Sequence, residues 1–215
     1  MPTGRTPGSR NIPLDASVFF IIMVIMPKIV DPEERRNAIA SAAVEAISRA
    51  GLDGVKLTDI ARAAGVTTGA VAHYFPDKDA VLAAALETVC ARLFARIDEI
   101  DGAPTVEGIA LALPLDPSDL RDWRVWLAYW GRAPFSDSLR EIHRQYYLDI
   151  EAALTAKLER HTDAPGEVAR AIIAAVDGAG TRITLEPDAW PADRQKALMH
   201  QLLGPLFQQH GLLSD

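Results

Sequence analysis

The sequence predicts an all-α fold of about nine helices, and three observations carry that expectation. Apolar residues recur at i, i+3, i+4 and i+7 in segment after segment. No run of alternating apolar and polar residues is long enough for a sheet, and no repeat of fixed period appears. Between the apolar segments stand glycines, prolines and capping residues, at the spacing of helix boundaries. Hydrophobic residues make up 49% of the 215 and charged residues 24%, ordinary globular values that suffice for one large domain or two small ones.

Residues 1–25 stand apart, as a disordered leader or an upstream-start extension. "VFFIIMVIM" (18–26) is uninterrupted apolar but too short for a hydrocarbon core that needs about 20 residues. A small-x-small cleavage site is lacking. Met26 opens "MPKIVDPEERR", which reads as a natural start.

From Pro32 to Ala50, Ala40, Ala43, Val44 and Ile47 form one stripe, Glu33 and Glu34 suit the helix dipole, and Gly51 is a stop. Thr58 is the expected N-cap of "LTDIARAAG", with Ile60, Ala61 and Ala64 facing inward and Gly65 ending it. Thr67 caps the next helix, which runs to Tyr74 and is broken by Pro76. Asp77 caps a longer one, from Lys78 to about Ile100. The remaining helices are expected near Val106–Leu113, Leu120–Gly131, from Ser136 or Asp137 to about Arg160, Glu167–Leu185 and Pro191–Gln209. The last should be disturbed at Gly204-Pro205.

Residues 58–78 have the arithmetic of a helix-turn-helix, with Gly65-Val66-Thr67 as the turn. Ala61, Val66 and Val71 have the spacing of a mini-core beneath it. The second helix is made of Thr67, Thr68, Gly69, Ala70 and Ala72, so its backbone can approach a major groove about 12 Å wide. Gly69 costs about 1 kcal/mol of helix propensity relative to Ala. That loss is understandable if a side chain there would strike the DNA backbone. Thr67 and Thr68 offer hydroxyls, His73 and Tyr74 can donate to phosphates, and Lys78 opens the next helix. On spacing alone, a hairpin whose small residues merely permit close packing fits equally well.

"LTDIARAAGVTTGAVAHYFPDKDAVL" resembles the N-terminal domain of TetR-family transcriptional regulators. The matching elements are Ile60, Ala61, Ala64, Gly65, Val66, Thr67, Gly69, Val71, Tyr74, Phe75, Lys78 and Leu82, within about Pro32–Val89. Two positions depart from the pattern: Ala72 stands where many members place Tyr, and Tyr74 where His is common, with His73 a substitute. The resemblance implies a homodimer, a double-stranded DNA operator, and repression relieved by a small molecule. The expected organisation is a DNA-binding domain at 26–76, a linking helix at 77–100, and a ligand-binding and dimerisation domain at 101–215. Thr58, Thr67, Thr68, Gly69, Ala72, His73, Tyr74 and Lys78 are the candidate DNA contacts. "RVWLAYWGRA" and "AVDGAGTRI" resemble the choline-responsive, betaine-pathway (BetI-like) branch of the family.

Trp123, Trp126 and Trp130 fall at i, i+3 and i+7, on one helical face, with Tyr146 and Tyr147 on the next helix. Such a stripe is core or an aromatic cage; a ring face attracts an ammonium by about 0.5–2 kcal/mol. Trp123, Trp126, Trp130, Tyr146 and Asp122 are therefore the candidate effector contacts, for a quaternary ammonium or a polyamine. Asp177, in an otherwise apolar run, should be buried and paired or at an interface. Ile173, Val176 and Ile183 with Leu198, Leu202 and Leu206 are the candidate dimer contacts, as a four-helix interface across a two-fold axis.

The single cysteine, Cys90, excludes a disulfide framework, and the five histidines lack metal-site spacing. Neither a cofactor nor a metal is expected. "DGAGTRI" lacks the preceding strand of a dinucleotide site, and no Ser-His-Asp signature is visible, so catalysis is not expected. Net charge is −7, with no strongly basic segment to advertise DNA binding. The expected location is cytoplasmic, without stable membrane association. Recruitment through residues 18–26, or activation in place of repression, are the competing readings.

Overall fold

A computed structural model describes residues 31–212. Among them are nine α-helices, two short 3-10 turns and no strand. The apolar run at 18–26 and the start at Met26 lie outside the described residues. Contacts divide the chain into Met1–Arg35 and Arg36–Asp215. Of the first unit, residues 31–35 are described; there Asp31 Oδ1 accepts from the Glu33 amide at 2.9 Å, at the head of the first helix.

Helix α1 (Pro32–Gly54) buries Ile39, Ala40, Ala43, Val44 and Ile47, the face its periodicity specifies. It kinks at Gly51, whose φ of 67° is open only to a residue without a Cβ penalty. Helix α2 (Leu57–Ala63) begins two residues earlier than expected. Lys56 occupies the cap position and makes no side-chain cap bond, while Thr58 lies exposed in the first turn and caps nothing. The half-buried Leu57 packs against the core, which draws the chain into the helix sooner. Gly65, at φ 66°, turns the chain, and the Val66 amide reaches back to Ala61 O at 2.9 Å. Helix α3 (Thr68–Tyr74) follows, capped by Thr67 Oγ1, which accepts from the Ala70 amide at 3.1 Å.

Helix α4 (Lys78–Asp98) is capped by Asp77 and runs through both halves of the core. After the short α5 (Val106–Ala110), α6 (Pro117–Arg132) starts three residues before the sequence expectation. The Asp-Pro pair that reads as a turn is a helix start: Asp116 accepts from the Ser118 and Asp119 amides, and Pro117 needs no donor in the first turn. Helices α7 (Asp137–Leu158), α8 (Pro165–Leu185) and α9 (Ala192–Gln209) complete the architecture. Helix α9 continues through Gly204-Pro205 without a break, held onto the core by the fully buried Leu203 and Phe207 on either side. The carbonyl that loses its donor belongs to Gln201, which is exposed and can bond water.

The core has two clusters. One joins α1, α2, α3 and the first half of α4 to Val125, Trp126 and Tyr129 of α6 and Leu139 of α7. The other joins Ile97 of α4 to α5 and the buried faces of α7, α8 and α9. Among the described residues, no helix is long and apolar enough to cross a membrane.

Candidate DNA-binding helix and effector cavity

The residues of α3 sort cleanly by face. Val71 and, just beyond the helix, Phe75 are buried against the core. Thr67, Thr68, Gly69, Ala72 and His73 are exposed together, and Tyr74 is half-buried with its ring edge-on to His73 at 5.5 Å. A methyl at Gly69 would meet nothing closer than Thr67 Oγ1, at 3.9 Å. The protein's own packing therefore does not demand a glycine there, and the close-packed hairpin loses its support. Thr67 Oγ1 is occupied as an acceptor by its cap, which leaves its proton free to donate outward.

Lys78 has a role within the protein that the sequence did not suggest. Its ammonium donates to Leu52 O at 3.1 Å and Asp53 O at 3.2 Å, at the last turn of α1. It thus ties the end of α1 to the start of α4, and a third N–H remains for a phosphate. We expect Lys78→Ala to cost on the order of 1 kcal/mol of unfolding free energy in a denaturant melt. It should also flatten the salt dependence of operator binding by about one unit of slope. An unchanged slope would limit Lys78 to the structural tie.

A cavity of about 710 Å³ lies among α4, α5, α6, α7 and α8. Trp123, Trp126, Trp130 and Asp122 all line it. Trp126 and Trp130 lie 5.7 Å apart between ring centroids, and Trp123 and Trp130 6.1 Å apart, edge-on. The stripe is both core and wall: Trp123 and Trp126 are buried, and the Trp123 indole N–H donates to Ala112 O at 2.8 Å. Tyr146 is not in this wall. It faces a separate groove with Arg36, Tyr74, Phe75 and Glu87, while its neighbour Tyr147 supplies the cavity's phenol. The one-residue difference is about 100° around α7, which spacing on a single helix cannot resolve.

Asp122 reaches the cavity already neutralised, because Arg92 clasps both its oxygens at 2.8 and 2.5 Å. Asp119 is likewise held by Arg96 at 2.5 Å. Asp177 differs. It lines the cavity from α8 and accepts a hydrogen bond from the Tyr147 hydroxyl at 2.7 Å. Among the described residues it has no cationic partner. Burial pushes its carboxyl up to about 6, partly offset by the Tyr147 bond. Trp126 meets Tyr147 edge-on and His143 meets it at a tilt, with ring centroids 6.2 and 4.3 Å away.

The proposed dimer contacts divide. Ile183 is 1% exposed within the protomer and is core, not interface. Ile173 and Val176 line the cavity, so they face inward. On α9, Leu198 and Leu206 are half-buried against the second core cluster, and Leu202 is 47% exposed. Helical periodicity marks every apolar residue of α8, but a helix with a cavity on one side and a core on the other uses most of them internally.

Gly180 explains how α8 accommodates Trp123. A methyl there would overlap the indole ring, so the ring lies directly against the α8 backbone. We expect Gly180→Ala to lower stability by about 1–3 kcal/mol, as overpacking does. Trp123 should also be driven from its place, seen as a shift in tryptophan emission; an unchanged melt and spectrum would contradict this packing.

Comparison with known proteins gives this geometry a family. Residues 39–85 match the model of bacterial regulatory proteins of the tetR family, and residues 106–208 that of the BetI-type transcriptional repressor C-terminal domain. The chain belongs to the TetR family. It is a DNA-binding transcriptional regulator with a ligand-binding C-terminal domain of BetI type. This TetR-family chain is 29% identical over 195 residues to the BetI regulator of Burkholderia mallei, covering 84% of itself and 99% of that protein. It is 29% identical over 188 residues to the regulator PksA of Bacillus subtilis, covering 82% and 91%. A transcriptional regulator from Rhodococcus sp. Rha1 superposes with a TM-score of 0.75 at 29% identity, over 86% of this chain and 100% of that one. A regulator from Saccharomonospora viridis, solved in complex with choline, shares the fold at 21% identity, with a TM-score of 0.63 over 80% and 96%.

Proposed function

We propose that this chain is a homodimeric repressor released from its operator by a molecule carrying a cationic amine. The observation that carries the effector class is Asp177, a largely buried carboxylate with no cationic partner among the described residues, set beside Trp126, Trp130 and Tyr147. Leaving a buried charge uncompensated is costly. An ammonium ion in the cavity would supply the counter-charge to Asp177 while the ring faces supply cation–π attraction. The choline found in the Saccharomonospora viridis regulator supports the same chemistry.

The DNA-binding domain is proposed at residues 26–76, of which 31–76 are described, followed by the linking segment 77–100 and the effector and dimerisation domain 101–215. In this reading α3 enters the major groove. Thr67, Thr68, Gly69 and Ala72 face the bases and sugar-phosphate edges, and His73, Tyr74, Thr58 and Lys78 bind phosphates. The dimer surface is the outer face of α8 and α9, where Leu185 is 70% exposed beside the exposed Ala174 and Gly178, and Leu202 faces out from α9.

Tryptophan fluorescence titrated with choline, glycine betaine, putrescine and spermidine tests the effector. Three of the four tryptophans line the cavity, so a bound amine should quench or shift the emission saturably. The same compound should release the protein from operator DNA in a gel-shift assay. A flat response to all four amines would count against this effector class.

A further inference from the structure

The cavity is much larger than a small quaternary ammonium needs, and its surplus is apolar. At roughly 30 Å³ for each water-sized group, about 710 Å³ holds roughly two dozen such groups, against about seven heavy atoms in choline. Asp177, the lining carboxylate without a cationic partner among the described residues, shares one part of the cavity with aromatic rings. Tyr147 and Asp177 are hydrogen-bonded there, with Trp126 and Trp130 beside them. From Tyr147 the wall continues along α7 to Ile150 and Leu154, about 10 Å at the helical rise. The lining also takes Ile172 from α8, Ile97 from α4 and Ile109 from α5. Lys157 donates to Ile100 O at 2.8 Å, which fixes the end of α7 against the end of α4 at this far end. The two other carboxylates near the centre, Asp119 and Asp122, are already held by Arg96 and Arg92. Glu99, Asp101 and Asp116 are exposed at the rim.

We infer that the effector is a cationic amphiphile: an ammonium head against Asp177 and the tryptophans, with a hydrocarbon body about 10 Å long lying between α4, α7 and α8. This rests on the cationic-effector reading above and goes past it by assigning the apolar half of the cavity to the ligand. A smaller cation would leave that apolar surface either wet or empty, and both states forgo burial that a hydrocarbon tail supplies.

The test is a fluorescence titration of the full chain with tetramethylammonium, butyltrimethylammonium and octyltrimethylammonium, alongside octanol and spermidine. Each added methylene that is buried should tighten binding roughly fourfold. We therefore expect at least about a hundredfold gain across the series, with octanol bound far more weakly than the octyl cation. Ile173→Phe, which fills the apolar part from α8, should reduce the octyl advantage more than it reduces tetramethylammonium binding. Ala112→Leu gives the same readout from the segment after α5, should the first variant fold poorly. Equal affinities along the series would overturn the amphiphile and leave the cationic reading standing. Spermidine binding more tightly than the octyl cation would do the same, in favour of a polycation. Octanol binding as tightly as the octyl cation, or no binding by any ammonium, would remove the cationic reading and this inference with it.

Discussion

Replacing Gly69 with leucine is expected to abolish operator binding while leaving the fold, the dimer and effector binding intact. The structure makes this substitution unusually diagnostic. Position 69 is exposed and lies in regular helix, and a Cβ added there would have no protein atom nearer than 3.9 Å. Leucine is also the better helix former by roughly 0.8 kcal/mol, so α3 itself should gain stability. Any loss of DNA affinity must then arise outside the protein, where the added side chain prevents the backbone from reaching the groove. We expect a melting temperature equal to or above that of the wild type, unchanged amine titration, and a loss of at least about a hundredfold in specific DNA binding. Normal operator affinity would show that α3 does not approach DNA at this point. A lowered melting temperature would mean that the glycine serves the fold after all.

The fold was legible because its signals are local. Caps at Thr67 and Asp77, the turn at Gly65 and the apolar stripes of α1 and α4 are each written within a few residues. The errors share a cause. Thr58 is a sound cap by chemistry, yet Leu57 packs on the core and starts the helix earlier. Pro205 is a sound helix breaker, yet Leu203 and Phe207 hold α9 together across it. In both places tertiary burial outweighs a local preference of about 1–3 kcal/mol. The site was legible only in part for a different reason. The tryptophan stripe lies on one helix, so its spacing is visible in the sequence. The partnership of Tyr147 with Asp177 spans 30 residues and two helices, and depends on which of two adjacent tyrosines points inward. Likewise nothing local reveals that Arg92 neutralises Asp122. The signal that could have found Asp177 was present: a single acid among "AIIAAVDGAG" is expensive to bury unless a partner offsets the cost.

Replacing Asp177 with asparagine should therefore have the largest effect on the effector side. Asparagine keeps an oxygen to accept the Tyr147 hydroxyl, so the packing around α7 and α8 should survive. What is lost is the charge. A charge-assisted contact of this kind contributes on the order of 1.5–3 kcal/mol, so amine affinity should fall roughly tenfold to a hundredfold. The pH dependence supplies an independent check. Burial holds the Asp177 carboxyl at about 6, so cation binding should be full at about pH 8 and weaken as pH falls below about 6, approaching tenfold per unit. The variant should lack this carboxylate-linked dependence. Stability runs the other way. The folded protein retains a proton on Asp177 that the unfolded chain releases at ordinary carboxylate pH, so stability without effector should decline as pH rises from about 4 to about 6. The groups facing Asp177 do not mimic this pattern. Tyr147 is pushed upward by burial and stays neutral, Asp122 is paired with Arg92, and His143 behind Tyr147 is lowered by burial, which destabilises the fold only as pH falls. His143 is present in both proteins, so its contribution cancels in the difference between them. Thermal melts of the wild type and Asp177→Asn should accordingly lie closest near pH 4, with the variant becoming the more stable by about pH 7. A difference independent of pH would mean that Asp177 is not a titrating, desolvated carboxylate, and the cationic effector would lose its counter-charge.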